Sequence, residues 1–231
     1  NGERTNLPTG IASLNPGGGS GTTGGVRPAA MGIRGLPDGV VGGGKAGGGF
    51  GAGFFGASDE GMKVVFVIDA SGSMTSYNAM QVAKAQLLAS LQSLDERQQF
   101  LIIFYDDTPR FLKLREDAKP TLVSATEINK TLARQQIAGV QPGAGTDHYP
   151  AVEMALKQQP DIIFLLTDAA EPAMHAAELE KVKRINNGRT RIHSIELGVG
   201  PELAAFPSNF LHRLAQQNGG THRYHDVTKF K

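Results

Sequence analysis

The chain has 231 residues, with Lys+Arg 23 against Asp+Glu 22 and a formal net charge of +1. So balanced a charge offers no one-sided field to nucleic acid or to an anionic membrane, and both are set aside as partners. The absence of cysteine excludes a disulfide scaffold, a thiolate zinc site and a cysteine nucleophile, and no apolar run reaches the ~20 residues that cross a bilayer.

The length suggests one full-sized domain and an appendage, and glycine marks where they divide. Of the 30 glycines, 20 fall in residues 1–60. Runs such as Gly17-Gly18-Gly19 and Gly47-Gly48-Gly49 carry too much backbone entropy to hold a helix. Residues 1–60 are therefore expected to be a glycine-rich extended arm or linker, and 61–231 the folded domain. The arm is punctuated by apolar anchors, Val26, Met31, Ile33, Leu36, Val40, Val41, Phe50, Phe54 and Phe55. Met31 and Ile33 alternate as a strand would, and Leu36-Pro37-Asp38-Gly39 has the composition of a turn. These anchors suit strand addition to a sheet edge, so self-association through residues 1–60 is one expectation. The opening at Asn1 leads us to expect a trimmed or processed product.

From Met62 the pattern becomes α/β. Val64–Ile68 is a continuous apolar run, as a strand buried on both faces requires. Tyr77–Leu94 carries a helical stripe of Met80, Ala83, Leu87, Leu91 and Leu94. Phe100–Tyr105 is a second buried strand, and Arg110–Leu114 a short antiparallel one after the Asp106–Pro109 turn. Helices are expected at Ala125–Gln135, His148–Gln158, Pro172–Asn186 and Ser208–Asn218, and strands at Ile162–Thr167, Ile192–Val199 and Thr221–Tyr224. The alternation predicts a doubly wound, Rossmann-like, mostly parallel sheet with helices on both faces.

In such a sheet ligands sit beyond the carboxyl ends of the strands, where strand order reverses. The first strand ends Val67-Ile68-Asp69, followed by Ala70-Ser71-Gly72-Ser73-Met74, and the strand Ile162–Thr167 runs into Asp168. If these strands are neighbours, two carboxylates and two hydroxyls meet in one crevice. Hard oxygen donors of this kind suit Mg²⁺, or Mn²⁺ and Ca²⁺.

Asp69-Ala-Ser71-Gly-Ser73 resembles the D-x-S-x-S signature of von Willebrand factor A domains. Gly143-Ala-Gly-Thr146-Asp147 resembles the second loop of that family, and Leu165-Leu166-Thr167-Asp168 the third. The likeness continues through Ile195–Gly200 and Leu214–Gly220, so it covers about residues 62–228 and leaves the arm outside. It implies a metal-ion-dependent adhesion site in which Ser71, Ser73 and Thr146 ligate through hydroxyls, and Asp69 and Asp168 directly or through water. In the family one coordination position is left for an acidic group of the partner, so the resemblance implies a protein ligand presenting a carboxylate. Ala169 departs from the usual glycine, and Ala144 interrupts a common Gly-Gly, but neither removes a ligand.

Other motifs carry less. Gly39-x4-Gly44-Lys45-Ala46 falls short of a P-loop, because Ala46 replaces the Mg²⁺-binding hydroxyl and no strand precedes it. Gly51-Ala-Gly53-Phe-Phe-Gly56 matches a dinucleotide pattern only because glycine is abundant. A phosphotransferase nucleophile at Asp69 lacks the second acid two positions on, where Ser71 stands, and no nucleophile–base pair suggests itself elsewhere. His212, His222 and His225 are expected to be exposed decoration, His148 to cover the next helix, and Asp106 and Asp107 to be turn residues. The sequence resembles bacterial envelope or membrane-tethered A-domain proteins more than vertebrate integrin subunits, and that resemblance implies a non-enzymatic metal-dependent binding module of the cell envelope or extracellular space, with a cytoplasmic location left open. The competing reading is a partner subunit of an ATP-driven, chelatase-like complex, against which the glycine-rich arm argues.

Overall fold

The computed structural model describes residues 50–115, 120–168, 172–202 and 209–230. The expected strand at Met31–Ile33, the turn at Leu36–Gly39, the P-loop-like segment Gly39–Ala46 and the Ala169 position lie outside them. The described elements run β1 (Gly51–Phe54), β2 (Ala57–Glu60), β3 (Lys63–Asp69), α1 (Ala79–Ser93), β4 (Gln99–Tyr105), β5 (Pro109–Phe111), β6 (Val123–Ser124), α2 (Glu127–Gly139), α3 (His148–Leu156), β7 (Ile162–Thr167), α4 (Ala176–Asn186), β8 (Arg191–Gly198), α5 (Phe210–Gln217) and β9 (His222–Asp226).

The fold is α/β with a mostly parallel central sheet in the order β5-β4-β3-β7-β8-β9; β6 also pairs with β4. Strands β4, β3, β7, β8 and β9 are parallel, and β5 and β6 run antiparallel to β4. Strand β3 lies between β4 and β7, so the chain builds outward on one side of β3 and then returns to build on the other. This is the strand reversal that opens a crevice at the carboxyl ends of β3 and β7.

The period-2 alternation of each buried strand divides the core into two layers. Val64, Phe66 and Ile68 of β3, with Phe100, Ile102 and Phe104 of β4, face a layer that includes α1 and α2. Val65 and Val67, with Leu101, Ile103 and Tyr105, face α3, α4 and α5. The helix on each face buries its apolar stripe there, Leu87 and Leu91 of α1 on one side and Leu179 and Val182 of α4 on the other. No helix of the described residues is long and apolar enough to cross a membrane.

The structure departs from the sequence reading at the end of the expected arm. Residues 51–60 form an antiparallel hairpin built into the core. Phe54 and Phe55 are 1% and 0% exposed, and Phe54 meets Phe66 edge-to-face at 5.4 Å. The hairpin is tied down by polar contacts. Gln98 Nε2 donates to the Gly61 carbonyl at 2.7 Å, His193 Nε2 and Asp59 Oδ2 are 3.1 Å apart, and Arg191 pairs with Asp59. Burying two phenylalanines outweighs the entropy of three glycines, which is why composition alone misassigns this stretch. Strand addition by the arm therefore concerns residues 1–49, which lie outside the described residues.

Several helix ends also move. α1 begins at Ala79, not Tyr77, because Tyr77 and Asn78, at the end of the 3₁₀ segment Gly72–Asn78, adopt left-handed φ of 50° and 60°. α4 begins at Ala176, where the Glu178 carboxylate accepts the His175 N–H at 2.8 Å.

Candidate metal centre

Asp69 is the last residue of β3 and is fully buried. Its two oxygens are held from opposite directions: Oδ1 accepts the Ser71 backbone N–H at 2.7 Å, and Oδ2 accepts the Thr167 hydroxyl at 2.6 Å. The first bond closes the turn that carries the hydroxyls, and the second crosses from β7. Ser71 and Ser73 bring their Oγ atoms to 2.9 Å of each other. Spacing explains this, since residues two apart on such a turn project to the same side.

Thr146 reaches the same edge through a loop docked on the first. The Gly143 N–H donates to the Ala70 carbonyl at 2.7 Å, and Asp147 N–H donates to Asp106 O at 2.9 Å. A Cβ at Gly143 would lie 2.1 Å from Asp106 Oδ2, and one at Gly145, where φ is +69°, only 1.6 Å from Asp107 Oδ1. Both glycines are thus demanded by close approach to Asp106 and Asp107 after β4, whereas Ala144 between them is exposed. Thr146 itself is 8% exposed.

Asp168 follows β7 directly and is half-buried. Burial pushes the Asp69 carboxyl above its ordinary range, hydrogen bonds from Ser71 and Thr167 oppose the rise, and the nearby Asp168 charge adds to it. The described structure therefore draws Asp69, Ser71, Ser73 and the Asp168 charge together, with Thr146 on the loop packed against them. The donor chemistry, carboxylate and hydroxyl oxygen, fits a hard divalent cation, which would relieve the mutual repulsion of the two carboxylates.

Sequence reasoning missed the support around these groups. The motif marks Thr167 only as part of the third loop, whereas in the structure its hydroxyl fixes Asp69. Tyr105, in register with Asp69, shares a 2.9 Å hydrogen bond with His148 Nδ1, and both rings are buried. Burial and the Asp69 charge hold the Tyr105 hydroxyl well above its usual range, so it stays neutral beside the carboxylate. His148 does begin α3 as expected, and Asp106 is a turn residue that pairs with Arg110 at 2.8 Å.

One expectation is corrected. His222 is not exposed decoration: its side chain is 6% exposed, and its ring lies tilted against that of His212 with centroids 3.8 Å apart. His225 leaves that pair and contacts the Phe55 carbonyl oxygen through Nε2 at 2.8 Å.

Comparison with known proteins bears on the family and the fold. Residues 64–171 match the family model described as von Willebrand factor type A domain. Inter-alpha-trypsin inhibitor heavy chain H4 of Homo sapiens is 32% identical over 178 residues, 69% of this chain and 18% of that protein. Heavy chain H2 of Mesocricetus auratus is 29% identical over 171 residues, 68% of this chain and 17% of that one. The chain thus spans less than a fifth of the length of these curated relatives. Among solved structures, von Willebrand factor type A from Catenulispora acidiphila superimposes with a TM-score of 0.60 at 19% identity, covering 75% of this chain and 42% of that one. Proximal thread matrix protein 1 from the mussel byssus, described with a zinc-occupied metal-ion-dependent adhesion site, gives 0.50 at 18% identity over 71% of this chain and 41% of that one. At these identities the structures share the fold.

Proposed function

The chain carries a von Willebrand factor type A domain, and on that premise we propose that Asp69, Ser71, Ser73, Thr146 and Asp168 hold one divalent cation, Mg²⁺ by donor chemistry, through which the domain binds a protein partner. The observation that carries this reading is the Asp69 carboxylate, fully buried, fixed at both oxygens and set beside a second carboxylate. A buried charge arranged this way is costly unless a cation compensates it.

The chain's own residues divide the work. Thr167 and the Ser71 N–H fix the carboxylate rotamer of Asp69, so its oxygens are set in place before binding. The Ser71 and Ser73 hydroxyls supply neutral oxygens, and Thr146 a third from the docked loop. Neutral hydroxyls offset less positive charge than carboxylates do, so a bound cation would supply residual attraction for an acidic side chain of the partner. The chemistry is capture of a carboxylate, with no bond made or broken. We place this activity at the cell envelope or outside the cell, the setting suggested by the resemblance to envelope-type A domains.

The test uses the full chain on an array of Asp- and Glu-containing peptides with their Asn and Gln counterparts. Retention that requires both Mg²⁺ and the carboxylate, and that disappears in Asp69→Ala, is expected. Retention indifferent to chelator would contradict the reading.

A further inference from the structure

His222 opens β9 and pairs in register with Ser194 of β8. The Ser194 hydroxyl donates its one proton to the Leu211 carbonyl of α5 at 2.9 Å. Its 3.0 Å contact with His222 Nδ1 must then run the other way, from Nδ1–H to Oγ. This tautomer leaves Nε2 with a bare lone pair, and that buried atom has no hydrogen-bond partner.

The groups facing the lone pair are acidic. Glu196 Oε2 lies 3.5 Å from His222 Nε2, and Glu202 Oε1 lies 3.9 Å away. His212, from α5, brings its own Nε2 to 3.5 Å of Glu202 Oε1. The ligand atoms of Glu202, His212 and His222 all lie within 4.8 Å of one another. A lone pair opposed to carboxylate oxygens is repulsive unless a positive charge stands between them. A cation held between them would satisfy the unpartnered Nε2 and the carboxylate oxygens together.

We propose that His212, His222 and Glu202, with Glu196 beside them, form a second cation site, specific for a borderline divalent metal of the zinc type. Imidazole donors select zinc over the hard cations suited to the oxygen-only centre at Asp69. Tetrahedral zinc with bonds of about 2.0–2.1 Å sets its ligands roughly 3.3 Å apart. The observed separations need only a modest contraction, within reach of His212 and Glu202, which are 39% and 51% exposed. Supporting contacts of the usual kind are present. Ser194 fixes the His222 tautomer, and Asn209 Nδ2 donates to Glu196 Oε2 at 2.5 Å. Because Glu196 stands in register with Thr167, the two sites occupy adjacent strands.

Zinc chloride titrated into the full chain by calorimetry, in saturating Mg²⁺, tests this independently of the reading above. One zinc per chain is expected, weakened at least ~10-fold in His212→Gln and unchanged in Asp69→Ala. Replacing the half-exposed His212 does not threaten the fold, which circular dichroism would verify. No zinc uptake by the folded wild type overturns the proposal. So does equal affinity in His212→Gln, or a loss of binding in Asp69→Ala.

Discussion

Thr167 and Asp69 meet across the parallel β3–β7 pair: the threonine hydroxyl donates to Asp69 Oδ2 at 2.6 Å, and both residues are fully buried. The contact joins the first and third loops of the candidate centre and decides which way the carboxylate points. Thr167→Val keeps the shape and removes the donor. We expect a loss of about 1–3 kcal/mol in metal-free stability, from the under-bonded buried carboxylate, and roughly tenfold weaker Mg²⁺ binding. Urea unfolding in chelator and calorimetry check the two effects separately.

Gly145 is a second lever on the same centre, acting through Thr146. A Cβ there would overlap Asp107, and its φ of +69° strains any L side chain. Gly145→Ala should displace the loop at a cost of about 1–2 kcal/mol or more and lower Mg²⁺ affinity, while Gly188→Ala, where nothing lies within 4 Å, should pay only the backbone term and leave Mg²⁺ affinity unchanged.

The β1–β2 hairpin makes a prediction about where the chain can be cut. Phe54→Ala should cost about 3–5 kcal/mol, as for other buried aromatics. A chain beginning at Gly49 keeps the hairpin and its two buried phenylalanines. One beginning at Ser58 loses Phe54 and Phe55 and should melt far lower.

The strands, and the strand ends at which Asp69 and Asp168 stand, were legible because buried parallel strands read as apolar runs and their ends are abrupt. Val64–Ile68 and Ile162–Thr167 show both features, and register does the rest. The hairpin was not legible, because glycine at 51, 53 and 56 hides two core phenylalanines in an apparently unfoldable stretch. The start of α1 was missed because left-handed Tyr77 and Asn78 leave no mark in hydrophobic periodicity. The histidine cluster joins residues 202, 212 and 222, and only the packing of α5 on β8 and β9 brings them together.

Acid should weaken the fold through its buried histidines. Burial is the largest cause holding His193, His222 and His225 below the ordinary histidine range, His222 at about 4. Between about pH 6.5 and 4 the unfolded chain binds protons that the folded chain refuses, so stability falls as pH drops through that window. For His222 alone the full effect is on the order of 3 kcal/mol. Asp69 and Glu196, raised by burial, act in the opposite sense, so the comparison is made against His222→Gln in chelator. The variant should show a shallower decline of urea midpoint between pH 6.5 and 4.5. An equal slope would mean that His222 titrates normally.

The most direct test of the central claim is calorimetric titration of Mg²⁺ into the full chain at neutral pH, beside Asp69→Ala and Ser71→Ala. The account predicts one site in the wild type, abolished in the first variant and weakened in the second, with both variants folded. A folded wild type that takes up no Mg²⁺, or an Asp69→Ala variant that binds it equally well, would contradict it.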